Sequence, residues 1–218
     1  MNKFDLSTLS NDAADQYTWS AISQHPSQLS ASQYLEYSEN DLLDGRTTRH
    51  IINALSNAKK SLHIRLEEIC LGFGIGIGSI KKKRFPQLID YVRECGIVAP
   101  RILDRLNTLR NAVEHDYIIP SEADVETFVD VVTLFLAATE RWMVRHPVEI
   151  DYYHPNNNSI LNTAILSKIS LIWDIGEVRL IFKDPKGSYY GPAIEEITYK
   201  SPSPEFFHCV KFALKNSS

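Results

Sequence analysis

Residues 99–120 read APRILDRLNTLRNAVEHDYIIP, and they settle whether the middle of the chain is helical. The stretch reads as an amphipathic helix over about 99–118 that Pro120 stops. Immediately after it, Ser121 and Asp124 form an S-x-x-D capping signal for another helix reaching about His146. That helix carries Val125, Phe128, Val129, Val132 and Leu136 at helical spacing. Upstream, Leu88, Ile89 and Val92 mark a helix over 86–95. Further back, Ile51, Ile52, Leu55, Leu62, Leu66 and Ile69 mark a long one over about 41–71. Residues 1–40 are rich in Ser, Asn and Gln, with Tyr17, Trp19, Tyr34 and Tyr37 among them, and one or two short helices are expected there. Beyond Pro147 the pattern changes. VRLIFK and EEITYK predict strands joined by the turn residues of DPKGS, and Ser203 with Pro204 predicts the start of a final helix. The expected fold is mainly α: an antiparallel helical bundle over 41–147, an N-terminal helical extension over 1–40 and a small α+β segment over 148–218.

The totals suit a chain with one substantial core. Among 218 residues, 44% are hydrophobic and 23% charged, which is ordinary for a globular protein. The start, MNKFDLSTLSND, has no apolar h-region, so secretion is not expected. The apolar run FVDVVTLFLAA contains Asp130 and is too short to span a membrane. Three scattered cysteines without a C-x-x-C pair predict reduced thiols in a cytoplasmic setting and no structural zinc. The net charge of −4 conceals an asymmetry. Residues 46–115 hold 13 basic against 6 acidic side chains, between segments of net −6 and −5. A basic middle between acidic flanks predicts a local anion-binding face, unless the charges disperse or pair internally.

Residues 110–117, RNAVEHDY, crowd hydrogen-bonding groups into the last turns of the 99–118 helix. At 100° per residue, Asn111 and His115 share one face, and Arg110, Glu114 and Tyr117 share the neighbouring one. The side chains lean toward the helix N-terminus, which helps them converge on one shallow site. A guanidinium grips phosphate oxygens in a forked geometry, and an imidazole exchanges protons near neutral pH. Arg141 and His146 repeat the Arg–His spacing. They lack the Asn and the Tyr and read as a solvated helix end. Each motif residue also has a structural reading: Arg110 and Glu114 as an ordinary i,i+4 pair, His115 on the last carbonyls, Tyr117 packed on the bundle.

The string R-N-x-x-x-H-x-Y resembles the signature of the HEPN domains, in the version carried by their toxin branch, over roughly residues 41–146. The resemblance implies metal-independent RNA cleavage through attack of a 2′-hydroxyl on its own phosphate, leaving a 2′,3′-cyclic end. It implies catalytic roles for Arg110 and His115, with Asn111 holding phosphate or orienting the imidazole and Glu114 in support. Tyr117 is implied to contact RNA or to be the residue that a partner antitoxin nucleotidyltransferase modifies. One helix supplies a single His where such cleavage uses an acid and a base, so a homodimer joined through the motif helices is expected. No cofactor, metal or membrane partner is expected.

Between the first helices, LGFGIGIGSIKKKRFP over 71–86 fits neither G-x-G-x-x-G nor a Walker A loop and reads as a mobile connector. Lys81, Lys82, Lys83 and Arg84 are candidate contacts to an RNA backbone, or a solvated basic loop. His50, His63 and His154 show no metal-ligand spacing. Two other functions stay open: a non-catalytic module of the same type that binds RNA, a nucleotide or a protein, and a regulatory protein whose α+β tail carries specificity.

Overall fold

The structure is a computed structural model that describes residues 4–9, 14–23, 29–98, 101–102, 104–105, 108, 121–153, 160–161, 163–188 and 190–215. The chain divides into two compact units. One comprises Met1–Ala21, Leu71–Ser79 and Arg145–Ser218, the other Ile22–Cys70 and Ile80–Val144.

The first unit is built on a six-stranded antiparallel sheet. Its strands are β1 (Gln16–Ser20), β2 (His146–Asp151), β3 (Ile160–Leu161), β4 (Ala164–Ile172), β5 (Glu177–Lys183) and β6 (Glu195–Lys200). Their order is β1-β2-β4-β5-β6, with β3 paired to the start of β4. Strand β5 alternates strictly: Val178, Leu180 and Phe182 are fully buried, while Glu177, Arg179, Ile181 and Lys183 point to the opposite face. A helix, Pro204–Lys215, packs Phe206, Cys209, Val210 and Ala213 out of solvent. Ser203 Oγ accepts from the Phe206 N–H at 3.2 Å at its start, so the expected cap is present. Each buried Phe, Leu or Val contributes roughly 1.5–3 kcal/mol of transfer free energy.

The fold is therefore α+β, which corrects the mainly α, HEPN-like antiparallel bundle with a small C-terminal extension expected above. Two signals mislead. Strand β1 lies in the polar segment expected to be helical, where Tyr17 and Trp19 alternate with Gln16, Thr18 and Ser20; its pairing with β2 is a contact across the chain. Strand β4 reads AILSKISLI, apolar on both faces, and periodicity does not mark such a run as strand.

The glycine-rich stretch differs too. Phe73 is fully buried and Ile75 is 4% exposed, so its apolar residues anchor it in the sheet unit. Gly74 has φ 97° and Gly176 φ 63°, both left-handed. A Cβ on Gly176 would strike the Gly74 carbonyl oxygen, so glycine is required where the two backbones meet.

In the second unit every described element is helical: α1 (Ala31–Asp44), most of α2 (Thr48–Gly72), α4 (Phe85–Cys95) and α5 (Glu122–Val144); of α3 (Ile77–Ile80) only Ile80 belongs to it. Ser30 and Gln33 close a capping box on α1. Ser121 Oγ accepts from the Asp124 N–H at 3.2 Å, as the S-x-x-D signal predicts. Ala54, Ala58 and Ser61 are fully buried along α2, and these small side chains let the Ser38 hydroxyl donate to the Ala54 carbonyl at 2.7 Å. Leu62, Leu66, Ile69, Leu88, Ile89, Val125, Phe128 and Val132 fill the core. Among the described residues, no helix is long and apolar enough to cross a membrane.

Candidate nucleic-acid interface

Of the helix predicted over about 99–118, the described residues Arg101, Ile102, Asp104, Arg105 and Thr108 are helical, and the Thr108 hydroxyl donates back to the Asp104 carbonyl at 2.9 Å. Arg93 on α4 joins Asp104 at 2.7 Å while also holding Asp90 at 2.5 Å. These exposed pairs contribute at most about 1 kcal/mol each but set the side of α4 on which the helix starts. Arg110, Asn111, Glu114, His115 and Tyr117 lie outside the described residues, as does His154.

The basic run lies within them. Lys81, Lys82 and Arg84 are exposed and Lys83 is half-buried, in the turn between α3 and α4. The Arg84 N–H donates to Gln87 Oε1 at 2.8 Å, and Pro86 occupies the first turn of α4, so the turn ends rigidly. The next residue, Phe85, is buried and meets the His63 imidazole of α2, with ring centroids 6.3 Å apart and planes at 26°. One turn N-terminal on α2 lie Lys59 and Lys60, the latter with its ammonium 5.3 Å above the Tyr34 ring. The sequence pattern alone does not join these groups, because the basic turn and the Lys59–His63 turn are separated in the chain by the glycine-rich stretch.

The other polar groupings are structural in character. Arg65, 4% exposed, lies 3.2 Å from Glu68 through Nε and 2.9 Å from Glu140 through Nη1. These three line a pocket of about 90 Å³ with Ser30, Ala31, Ser32 and Met143. Two carboxylates against one guanidinium leave no surplus positive charge for an anion. In the sheet unit, Lys168 pairs with Glu149 and Asp151, Arg179 with Glu177 and Glu196, and Lys200 with Glu177. That face neutralises itself and offers phosphate little.

Burial raises the Cys70 thiol and lifts Cys209 to about 12, so neither is a thiolate nucleophile at neutral pH. His146, expected at a solvated helix end, instead opens β2 at 3% exposure. It sits 4.8 Å from both the Phe73 and Trp173 rings, and burial lowers its pKa to about 4 despite a hydrogen bond with the Gly72 backbone. Arg141, which stands at the same spacing before it as Arg110 before His115, lies over the Trp142 ring at 4.1 Å. His63 does have a carboxylate one turn on, Glu67 at 3.4 Å, contrary to the spacing argument above. Even so, among the described residues no group of three or more His, Cys, Asp or Glu is placed to hold a metal ion.

No protein-family model, no curated protein and no solved structure matches the chain.

Proposed function

We propose that the protein is a metal-independent RNA endonuclease of HEPN type, acting as a toxin or defence effector in the cytoplasm. The observation that carries this reading is the string RNAVEHDY, with Arg, Asn, His and Tyr each at its signature position. The helical residues Arg101, Ile102 and Asp104 and the capped helix after Pro120 are compatible with it, and the exposed basic turn supplies a surface for phosphate.

The chemistry follows from the residue types. A base removes the proton of the 2′-hydroxyl, whose oxygen attacks the adjacent phosphorus. The 5′-oxygen leaves as it takes a proton from an acid, giving a 2′,3′-cyclic phosphate and a 5′-hydroxyl. His115 from each of two chains supplies base and acid, Arg110 neutralises the phosphate charge, and Asn111 donates to its oxygens. Glu114 supports Arg110 on the same face. A homodimer through the motif helices is part of the proposal, and an antitoxin nucleotidyltransferase acting on Tyr117 is its proposed regulator.

The test is end-labelled RNA incubated with the purified chain in EDTA, with products resolved by size and end chemistry. Cyclic-phosphate ends that disappear in Arg110→Ala support the reading. RNA retention without any scission assigns the protein instead to the non-catalytic binding class.

A further inference from the structure

We propose that α2 and the α3–α4 turn form one RNA-backbone surface, made of Lys59, Lys60 and His63 together with Lys81, Lys82 and Arg84. The inference rests on the RNA reading above and assigns it a docking face that the motif does not contain. Its basis is placement. The His63–Phe85 ring contact and the approach of Cys70 Sγ to the Leu88 carbonyl at 3.7 Å fix the start of α4 against α2. Because Phe85 directly follows Arg84, the basic turn is carried to the His63 level of α2. Lys59 and Lys60 stand one helical turn away, about 6 Å along the axis.

The charge of the α3–α4 turn within this surface is not cancelled. Among the described residues, Lys81, Lys82 and Arg84 take part in no ion pair, whereas His63 lies 3.4 Å from Glu67. Clustered like charges repel, and a polyanion relieves that repulsion by displacing its own condensed counterions. Flexible ammonium groups position phosphates without reading bases, so the face binds single-stranded RNA with little sequence preference. On the sheet, by contrast, Lys168, Arg179 and Lys200 each meet a carboxylate of a neighbouring strand.

The experiment uses the full chain carrying His115→Ala and a fluorescent 20-nucleotide RNA of mixed sequence, with anisotropy read across a salt series in EDTA. Lys60→Gln/Lys81→Gln/Lys82→Gln is compared with the equally neutralising Lys186→Gln/Lys211→Gln/Lys215→Gln on exposed lysines of the sheet unit. The first set should lower the slope of log affinity against log salt by about 2, at about 0.7 per phosphate contact on a single strand. It should also weaken binding at low salt at least tenfold. The second set should change neither, and Lys60→Arg/Lys81→Arg/Lys82→Arg should restore both. Unchanged thermal midpoints confirm that every set is folded. Equal losses in the two Gln sets, no loss in the first, or no RNA binding at all overturns the proposal. Failure of the nuclease reading is seen separately, as intact RNA with the wild-type chain while the patch-dependent binding persists.

Discussion

The imidazole of His63 faces the ring of Phe85 across 6.3 Å, and this contact seats the basic turn Lys81–Arg84 against α2. Phe85 is 4% exposed, so its ring belongs to the core as well as to the surface above it. Phe85→Ala should cost roughly 3–5 kcal/mol through lost burial and the cavity left behind. Phe85→Leu should cost clearly less and keep the turn in place. Urea unfolding of both variants measures the difference, and equal small effects would mean that the ring is not packed as described.

Much of the local structure on either side of the motif is written in the sequence. The S-x-x-D signal at Ser121 and Asp124, the Ser203–Pro204 start of the last helix and the strands VRLIFK and EEITYK all form as the residue types predict. These are short-range matters of capping, period and turn chemistry. What local pattern does not contain is pairing at a distance. Tyr17 finds Ile150, and Leu166 finds Phe182, through sheet register that no window along the chain displays. The same holds for the basic turn. The lysine run is visible as a run, but the seating of the adjoining Phe85 against His63 depends on how α2 and α4 pack. His146 fails in the opposite way: beside Arg145 and Pro147 it resembles a wet helix end, yet Phe73 and Trp173 enclose it.

That enclosure has a pH consequence. His146 is held neutral in the fold, with its pKa lowered to about 4 chiefly by burial, against 6.5 when unfolded. Above pH 6.5 both states are neutral and the residue adds no pH dependence. As pH falls from 6.5 toward 4, the unfolded state takes up the proton first, and stability is lost by roughly 3 kcal/mol over the window. Urea midpoints at pH 7.5 and 4.5 for wild type and His146→Phe measure it. The variant should lose markedly less stability on acidification, and identical losses would place the imidazole in water.

Arg65 lies buried between Glu68, itself 2% exposed, and the exposed carboxylate of Glu140. Arg65→Met removes the guanidinium beside buried Glu68 and should cost about 3–5 kcal/mol. Arg65→Met with Glu68→Gln removes the buried carboxylate charge as well and should recover a large part of that loss. Chemical denaturation of the single and double variants decides it, since additive losses would contradict a coupled pair.

Gly176 tests the sheet unit. Its φ of 63° and its closeness to the Gly74 carbonyl leave no room for a methyl group. Gly176→Ala should destabilise by more than about 1 kcal/mol, because positive φ and the backbone clash act together. A thermal melt as stable as that of wild type would show that the two backbones stand further apart.

The most direct measurement of the nuclease account is the 3′-end chemistry of RNA exposed, without divalent metal, to wild-type protein and to His115→Ala side by side. The account predicts 2′,3′-cyclic termini from the wild type and intact RNA from the variant. Equal cleavage by both proteins would contradict it.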